Sequence, residues 1–230
     1  YDALLTGWDA QSLHSGVGFN GGNSQYCSGK TARTHMITSD GWSIRDGGST
    51  CHPEDDFVVT VKTDNPGSSG SMGFTIPTYP GETYNYAVDC NNDGVNEVTG
   101  VTGNATCNYA AAGTYTVRIK DNTGLGTGFP RIYFNAINYN LSSDALKLLS
   151  IDQWGPGEWT SMNRAFYGCI NLAGHASDSP DLSGVTDLSY MFKNSSFNQV
   201  IGTWDTGHVT NMASMFAHQY GYGAFNQDIG

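Results

Sequence analysis

Val185-Thr-Asp-Leu-Ser-Tyr-Met-Phe192 recurs 24 residues later as Val209-Thr-Asn-Met-Ala-Ser-Met-Phe216. Each copy leads to a second shared block, Phe197-Asn-Gln-Val-Ile-Gly202 and then Phe225-Asn-Gln-Asp-Ile-Gly230. A degenerate earlier copy, Trp159-Thr-Ser-Met-Asn-Arg-Ala-Phe166, precedes the first by 26 residues. Three matches in one register identify an internal repeat, and a unit this short cannot bury its apolar face alone, so neighbouring copies must stack. Val185, Leu188, Met191 and Phe192 fall at i, i+3, i+6 and i+7, the spacing of one helix face. The Met and Phe positions therefore read as core, and Gly202-Thr-Trp-Asp-Thr-Gly207 reads as a turn or short strand.

Upstream, over about residues 52–140, the rhythm changes to period two. Val59 and Val61, Phe74 and Ile76, Tyr84, Tyr86 and Val88, and Tyr115, Val117 and Ile119 alternate with polar residues, the pattern of half-buried strands. Asn65-Pro-Gly, Pro80-Gly and Asn91-Asn-Asp-Gly punctuate them as turns. Several short antiparallel strands in such a length predict a β-sandwich of immunoglobulin-like type.

The repeat pattern, with its Phe-Asn-Gln-x-Ile-Gly block and Trp-Asp-Thr turn, resembles the BspA-like leucine-rich repeats of bacterial surface proteins over residues 146–230. Residues 1–50, through Tyr1-Asp-Ala-Leu-Leu-Thr-Gly-Trp8, Gly22-Asn-Ser-Gln-Tyr-Cys27 and Gly41-Trp-Ser-Ile44, resemble the segment that ends such arrays. Gly29–Ile37 reads there as a short helix with Gly41 as its stop. Ala112-Gly-Thr-Tyr-Thr-Val-Arg-Ile119 followed by Asp121-Asn122 is similar to a late strand of PKD-like domains. The expected fold class is thus mixed: leucine-rich-repeat-like solenoid segments flanking an antiparallel sandwich. The expected parts are 1–50 as the end of one array, 51–143 as the sandwich and 144–230 as the start of a second array. That order implies a longer protein in which array and spacer alternate.

Composition narrows the function. Charged residues are 13% of the 230, Gly numbers 30 and Tyr 13, and 21 acids against 10 Lys and Arg leave a net charge of −11. Nucleic-acid binding needs the opposite sign, and no apolar run is long enough to span a bilayer as a helix. Cys27, Cys51, Cys90, Cys107 and Cys169 make an odd set without a C-x-x-C pair. Cys90 and Cys107 fall at neighbouring strand ends, where a disulfide suits an oxidising compartment. Cys27–Cys51 is a second candidate pair, and five unrelated buried thiols is the alternative.

One loop has ligand spacing. In Asp89-Cys-Asn91-Asn-Asp93-Gly94-Val95-Asn-Glu97, oxygen donors alternate before a turn-permitting glycine, as in a loop that wraps calcium. Asp89, Asn91 and Asp93 would give side-chain oxygens, Val95 a carbonyl, and Glu97 a direct or water-mediated ligand. The twelfth position is Gly100 rather than a bidentate Glu, and the same residues equally make an acidic hairpin turn. Gly124-Leu-Gly-Thr-Gly128 leads into Phe129-Pro130 rather than a helix, so it reads as an inter-strand loop. No catalytic residue is assigned.

The functional expectation is a non-enzymatic, repeating structural and adhesive unit of a large secreted bacterial surface protein or extracellular fibre. Its partners would be other copies or neighbouring repeats, and a host or prey cell surface or matrix, with calcium as cofactor. The alternative is a carbohydrate-binding accessory module of a secreted hydrolase, as PKD-like domains imply.

Overall fold

The computed structural model describes residues 1–26, 29–48, 56–136, 142–219, 225–227 and 229. The chain divides into two compact units, Tyr1–Pro53 and Glu54–Gly230.

In the first unit, helix α1 (Asp2–Asp9), strand β1 (Gly18–Asn20), helix α2 (Lys30–Thr38) and strand β2 (Ser43–Arg45) follow in order. Leu5 on α1, Ala32 and Met36 one turn apart on α2, and Ile44 on β2 form its buried core. Strands β1 and β2 pair in parallel, Phe19 opposite Ile44. Gly41, at φ 69°, takes the left-handed turn after α2, so the helix read over 29–37 forms with a boundary shift of one residue. Asp46 is gripped by Arg33 Nε at 2.8 Å and accepts the Tyr1 hydroxyl at 2.8 Å, which ties the unit's two ends together. Burial and this bond to Asp46 push the Tyr1 phenol up to about 12.

The second unit is built on a six-stranded sheet in the order β10-β9-β3-β8-β5-β6, with β4 and β7 as a separate pair. Its strands are β3 (Phe57–Lys62), β4 (Gly73–Ile76), β5 (Tyr86–Asp89), β6 (Val98–Val101), β7 (Ala105–Asn108), β8 (Thr114–Asp121), β9 (Leu148–Gln153) and β10 (Ala173–Gly174). Each alternating run read from the sequence lies on or beside one of β3, β4, β5 and β8. The inward residues Val59, Val61, Phe74, Ile76, Val88 and Val117 are all at most 1% exposed, so hydrophobic burial fixes the register. The two sheets share one core, which is compatible with sandwich-like content. Strand β9 lies antiparallel beside β3, with Ile151 opposite Val59, so the repeat-bearing segment enters the same sheet as the strands before it.

A buried ion pair secures that junction. Lys147, in the 3-10 turn Ala145–Lys147, is fully buried. Its ammonium donates to Ser69 Oγ at 2.9 Å and to the carbonyls of Gly73, at 2.8 Å, and Gly70. The Asp144 carboxylate, 3.8 Å from that ammonium, accepts the Ser69 and Thr75 N–H groups at 3.1 and 2.6 Å. Gly67 must be glycine here, because a Cβ would sit 2.4 Å from Asp144 Oδ1.

The expected fold class is corrected by these observations. The molecule is mostly β, its sheets mix parallel and antiparallel pairs, and the described helices are α1, α2 and a three-residue 3-10 turn. Residues 1–48 form an α/β unit with its own core rather than a solenoid end. The repeats show no strand–helix unit among the described residues; they are turns joined by single parallel bridges such as Asp187 to Asn211. The helix read at Val185–Phe192 is also absent. Tyr190, at φ 60°, and its counterparts Arg164 and Ser214, both at 57°, take left-handed conformations, as do Asn194 at 54° and its counterpart Gly168 at 80°, and these interrupt a right-handed helix every turn. Val185, Leu188, Met191 and Phe192 are nonetheless at most 1% exposed. Successive turns deliver the inward spacing that a helix face would have given.

The turns are satisfied between copies. Met162, Arg164, Phe166 and Gly168 donate their N–H groups to the carbonyls of Asp187, Ser189, Met191 and Lys193. Leu188, Tyr190, Phe192 and Asn194 do the same to Asn211, Ala213, Met215 and Ala217. A rung not visible in the repeat pattern precedes them: Phe134 and Ala136 donate to Ala165 and Tyr167. Phe134, Phe166, Phe192 and Phe216 consequently line up, with ring centroids 6.3, 5.5 and 5.8 Å apart in turn.

Candidate functional site

The loop leaving β5 is organised by its own carboxylates. Asp89 is fully buried and accepts the N–H groups of Asp93 at 3.2 Å and Gly94 at 2.9 Å. Asn91 Oδ1 accepts the Asp93 N–H at 3.1 Å, and Asp93 Oδ1 accepts the Val95 N–H at 2.8 Å. Glu97 closes the loop by accepting the Cys90 N–H at 2.6 Å. Asn92 and Gly94 adopt positive φ, 61° and 90°, as a tight turn of this kind requires.

Asp89, Asp93 and Glu97 each bring a carboxylate oxygen within 4.8 Å of the others. Asn91, Asp93, Val95 and Glu97 are exposed, so the loop presents its acidic side outward. Three oxygens so close suit a hard divalent cation. The buried member is already compensated, because Lys120 Nζ stands 3.5 Å from Asp89 Oδ2. An ion bound by all three carboxylates would take over the charge that Lys120 now balances. The turn and the calcium loop thus use one geometry and differ in what neutralises Asp89.

Directly behind the loop, Cys90 and Cys107 form a disulfide with Cα atoms 5.6 Å apart. It joins the end of β5 in the large sheet to β7 in the two-stranded one. The Tyr109 hydroxyl donates to the Cys90 carbonyl at 2.8 Å, and its ring lies flat on Tyr115 at 3.7 Å. Burial raises the Tyr109 phenol, keeping it protonated as a donor. Cys169 is a buried free thiol that burial pushes well up, which removes it from thiolate chemistry. Cys27 and Cys51, the second candidate pair, lie outside the described residues.

The glycine-rich stretch after β8 is ordered by Asp121. Its carboxylate accepts the N–H groups of Thr123, Leu125, Gly126 and Gly128, the last at 2.7 Å. A Cβ at Gly128 would lie 2.2 Å from the Asn85 carbonyl oxygen, so close strand approach dictates that glycine. Beside it opens a cavity of about 480 Å³ lined by Glu82, Thr127, Pro130, Glu158, Trp159 and Ser183. Thr160 donates to Glu82 at 2.8 Å across its rim.

A further cluster was not legible in the sequence. Asp9 ends α1, His35 stands in the last turn of α2 and Asp40 follows it. His35 Nδ1 lies 2.7 Å from Asp9 Oδ1, and the three groups offer donor atoms within 4.8 Å of one another. The hydrogen bond to Asp9 raises the His35 pKa. Packing of α1 on α2 creates this cluster, and no sequence spacing announces it.

No helix among the described residues is long and apolar enough to cross a membrane. No curated protein and no solved structure matches the chain. Its laddered C-terminal segment, residues 145–230, is similar to the family described as Mycoplasma protein of unknown function, DUF285.

Proposed function

We propose that this chain is a structural and adhesive unit of a large secreted bacterial surface protein or extracellular fibre, acting beside further repeats or other copies of itself. The observation that carries the reading is the ladder between copies. Each rung spends alternate N–H groups on the carbonyls of the next copy, and the rings of Phe134, Phe166, Phe192 and Phe216 stack in the same register. Units that pair only with their neighbours build length by repetition.

Two other features support it. The matched family is found in BspA-like surface proteins, which fits the resemblance of the repeats to that group. The Cys90–Cys107 pairing suits an oxidising, extracellular setting. In this reading the Asp89–Glu97 loop is a calcium site of modest affinity that stiffens the sandwich.

The test is localisation. Immunogold labelling of intact cells, together with brief protease treatment of their surface, should decorate and release this segment. Label found only after cells are opened would exclude a surface role.

A further inference from the structure

Seven Lys and Arg residues lie in the second unit. Four sit beside carboxylates: Lys62 with Asp64, Arg118 with Asp56, Lys120 with Asp89 and Lys147 with Asp144. The other three, Arg131, Arg164 and Lys193, have no carboxylate within 4.0 Å among the described residues. In a chain carrying −11 this is a marked departure, and all three gather on one face of the stacked rungs.

Along residues 131–136, Ile132, Phe134 and Ala136 enter the core, whereas Tyr133 and Asn135, the latter turned by its φ of 43°, are half-buried. Arg131 is buried beneath this face, at 8% exposed. Arg131 lies over Tyr79 at 3.8 Å and near Tyr133 at 5.0 Å, and donates to the Asn163 carbonyl at 3.3 Å. On the next rung Arg164 reaches back to Asn135 Oδ1 at 3.5 Å and lies 5.2 Å from the Tyr190 ring. One rung further, Lys193 sits 5.0 Å from Tyr190 and 5.6 Å from Tyr167. Tyrosine faces hold each cation in place without cancelling its charge. The Nε atoms of Arg131 and Arg164 are buried donors with no hydrogen-bond partner.

We propose that this face binds a linear anionic polysaccharide, its carboxylate or sulfate groups pairing with the partly exposed Arg164 and Lys193, the buried Arg131 adding positive charge behind them, and its sugar rings lying against Tyr133 and Tyr190. The cations recur rung by rung, which matches a polymer whose charge recurs along its length. Planar guanidinium groups suit carboxylate and sulfate geometry, and the tyrosines add apolar contact with a polar rim. The proposal gives the adhesive half of the function above a ligand class and rests on that half. Surface localisation and fibre assembly stand or fall separately.

The test is retention of the full 230-residue chain on immobilised polygalacturonate (carboxylated) and heparin (sulfated), with dextran as the neutral control. At 0.15 M salt, where screening acts over about 8 Å, the distant acids of the chain are muted. Binding to either charged polymer and not to dextran is expected, and which one binds assigns the anionic group. R164Q/K193Q, which alters two partly exposed side chains, should weaken it at least about tenfold at an unchanged melting temperature. Failure to bind both polymers, or equal binding by the double variant, would overturn the proposal. Self-association abolished by R164Q/K193Q without polysaccharide binding would overturn it too, in favour of contact between copies.

Discussion

Phe192 lies flat on Phe216, their planes 8° apart and centroids 5.8 Å apart, while the Phe192 N–H donates to the Met215 carbonyl at 2.9 Å. Ring stacking and backbone pairing therefore act at the same position in consecutive copies. Phe197 lies against the other side of the arrangement, 3.9 Å from Phe192, and the pair Phe216–Phe225 repeats that contact at 3.8 Å. The shared Phe-Asn-Gln block thus exists to pack on the Phe that ends the first block.

This makes Phe192 an energetic centre. It is 1% exposed, so Phe192→Ala should cost about 3–5 kcal/mol in urea unfolding. Phe216→Ala, at a half-buried ring on the last rung, should cost clearly less. Equal losses would mean that stacking is not graded along the column.

The disulfide spans a sequence separation of 17. Closing a loop of that size is worth about 3 kcal/mol. Cys90→Ser/Cys107→Ser, or mild reduction of the wild type, should lower the melting temperature of the second unit by a corresponding amount. An unchanged transition would remove the bond from the account.

Lys147 and Asp144 are both buried, and each satisfies backbone groups of the Gly67–Gly73 loop and β4. Lys147→Ala leaves the Asp144 carboxylate buried without its ammonium and should cost about 3–5 kcal/mol. Lys147→Met fills the volume but not the hydrogen bonds, and should also destabilise. Chemical denaturation of both variants checks this, and a neutral Lys147→Ala would refute it.

His35 has its folded pKa raised above 6.5 by the hydrogen bond to Asp9. The contribution of that contact is fully present below the unfolded value and is lost as pH rises through the folded one. NMR titration should place the imidazole transition above 6.5, and Asp9→Asn should bring it down. A titration indifferent to Asp9→Asn would contradict the pairing.

Calcium and the plain turn diverge at Lys120. If the loop binds calcium, calorimetry should give a dissociation constant of about 0.1–1 mM, the range of extracellular modules. Lys120→Gln should then tighten it by removing the competing ammonium from Asp89. If the loop is a turn alone, Lys120→Gln destabilises the protein and calcium does not restore it.

Much of this architecture was legible because burial leaves a period in the sequence. Val59, Val61 and Val117 announced strands, and the repeated Val-Thr-x-x-x-x-Met-Phe block announced stacked copies. The same block misled about local structure: i, i+3, i+6 and i+7 spacing reports which residues point inward, and turns with left-handed residues such as Tyr190 meet it as well as a helix does. Phe134 was invisible as a rung because Arg131-Ile-Tyr-Phe134, aligned on its Phe, matches the block at that residue alone and joins the column through backbone pairing. The Arg131–Arg164–Lys193 face escaped for a related reason, since its successive members are 33 and 29 residues apart and meet only across rungs. Asp89–Glu97 was found by spacing, but Lys120, which balances Asp89, arrives from a neighbouring strand.

The most direct measurement is electron microscopy of the native full-length protein, with and without a calcium chelator. Ordered fibres or surface arrays built from repeating units, loosened on chelation, are the expected result. Isolated compact monomers, indifferent to chelation, would contradict it.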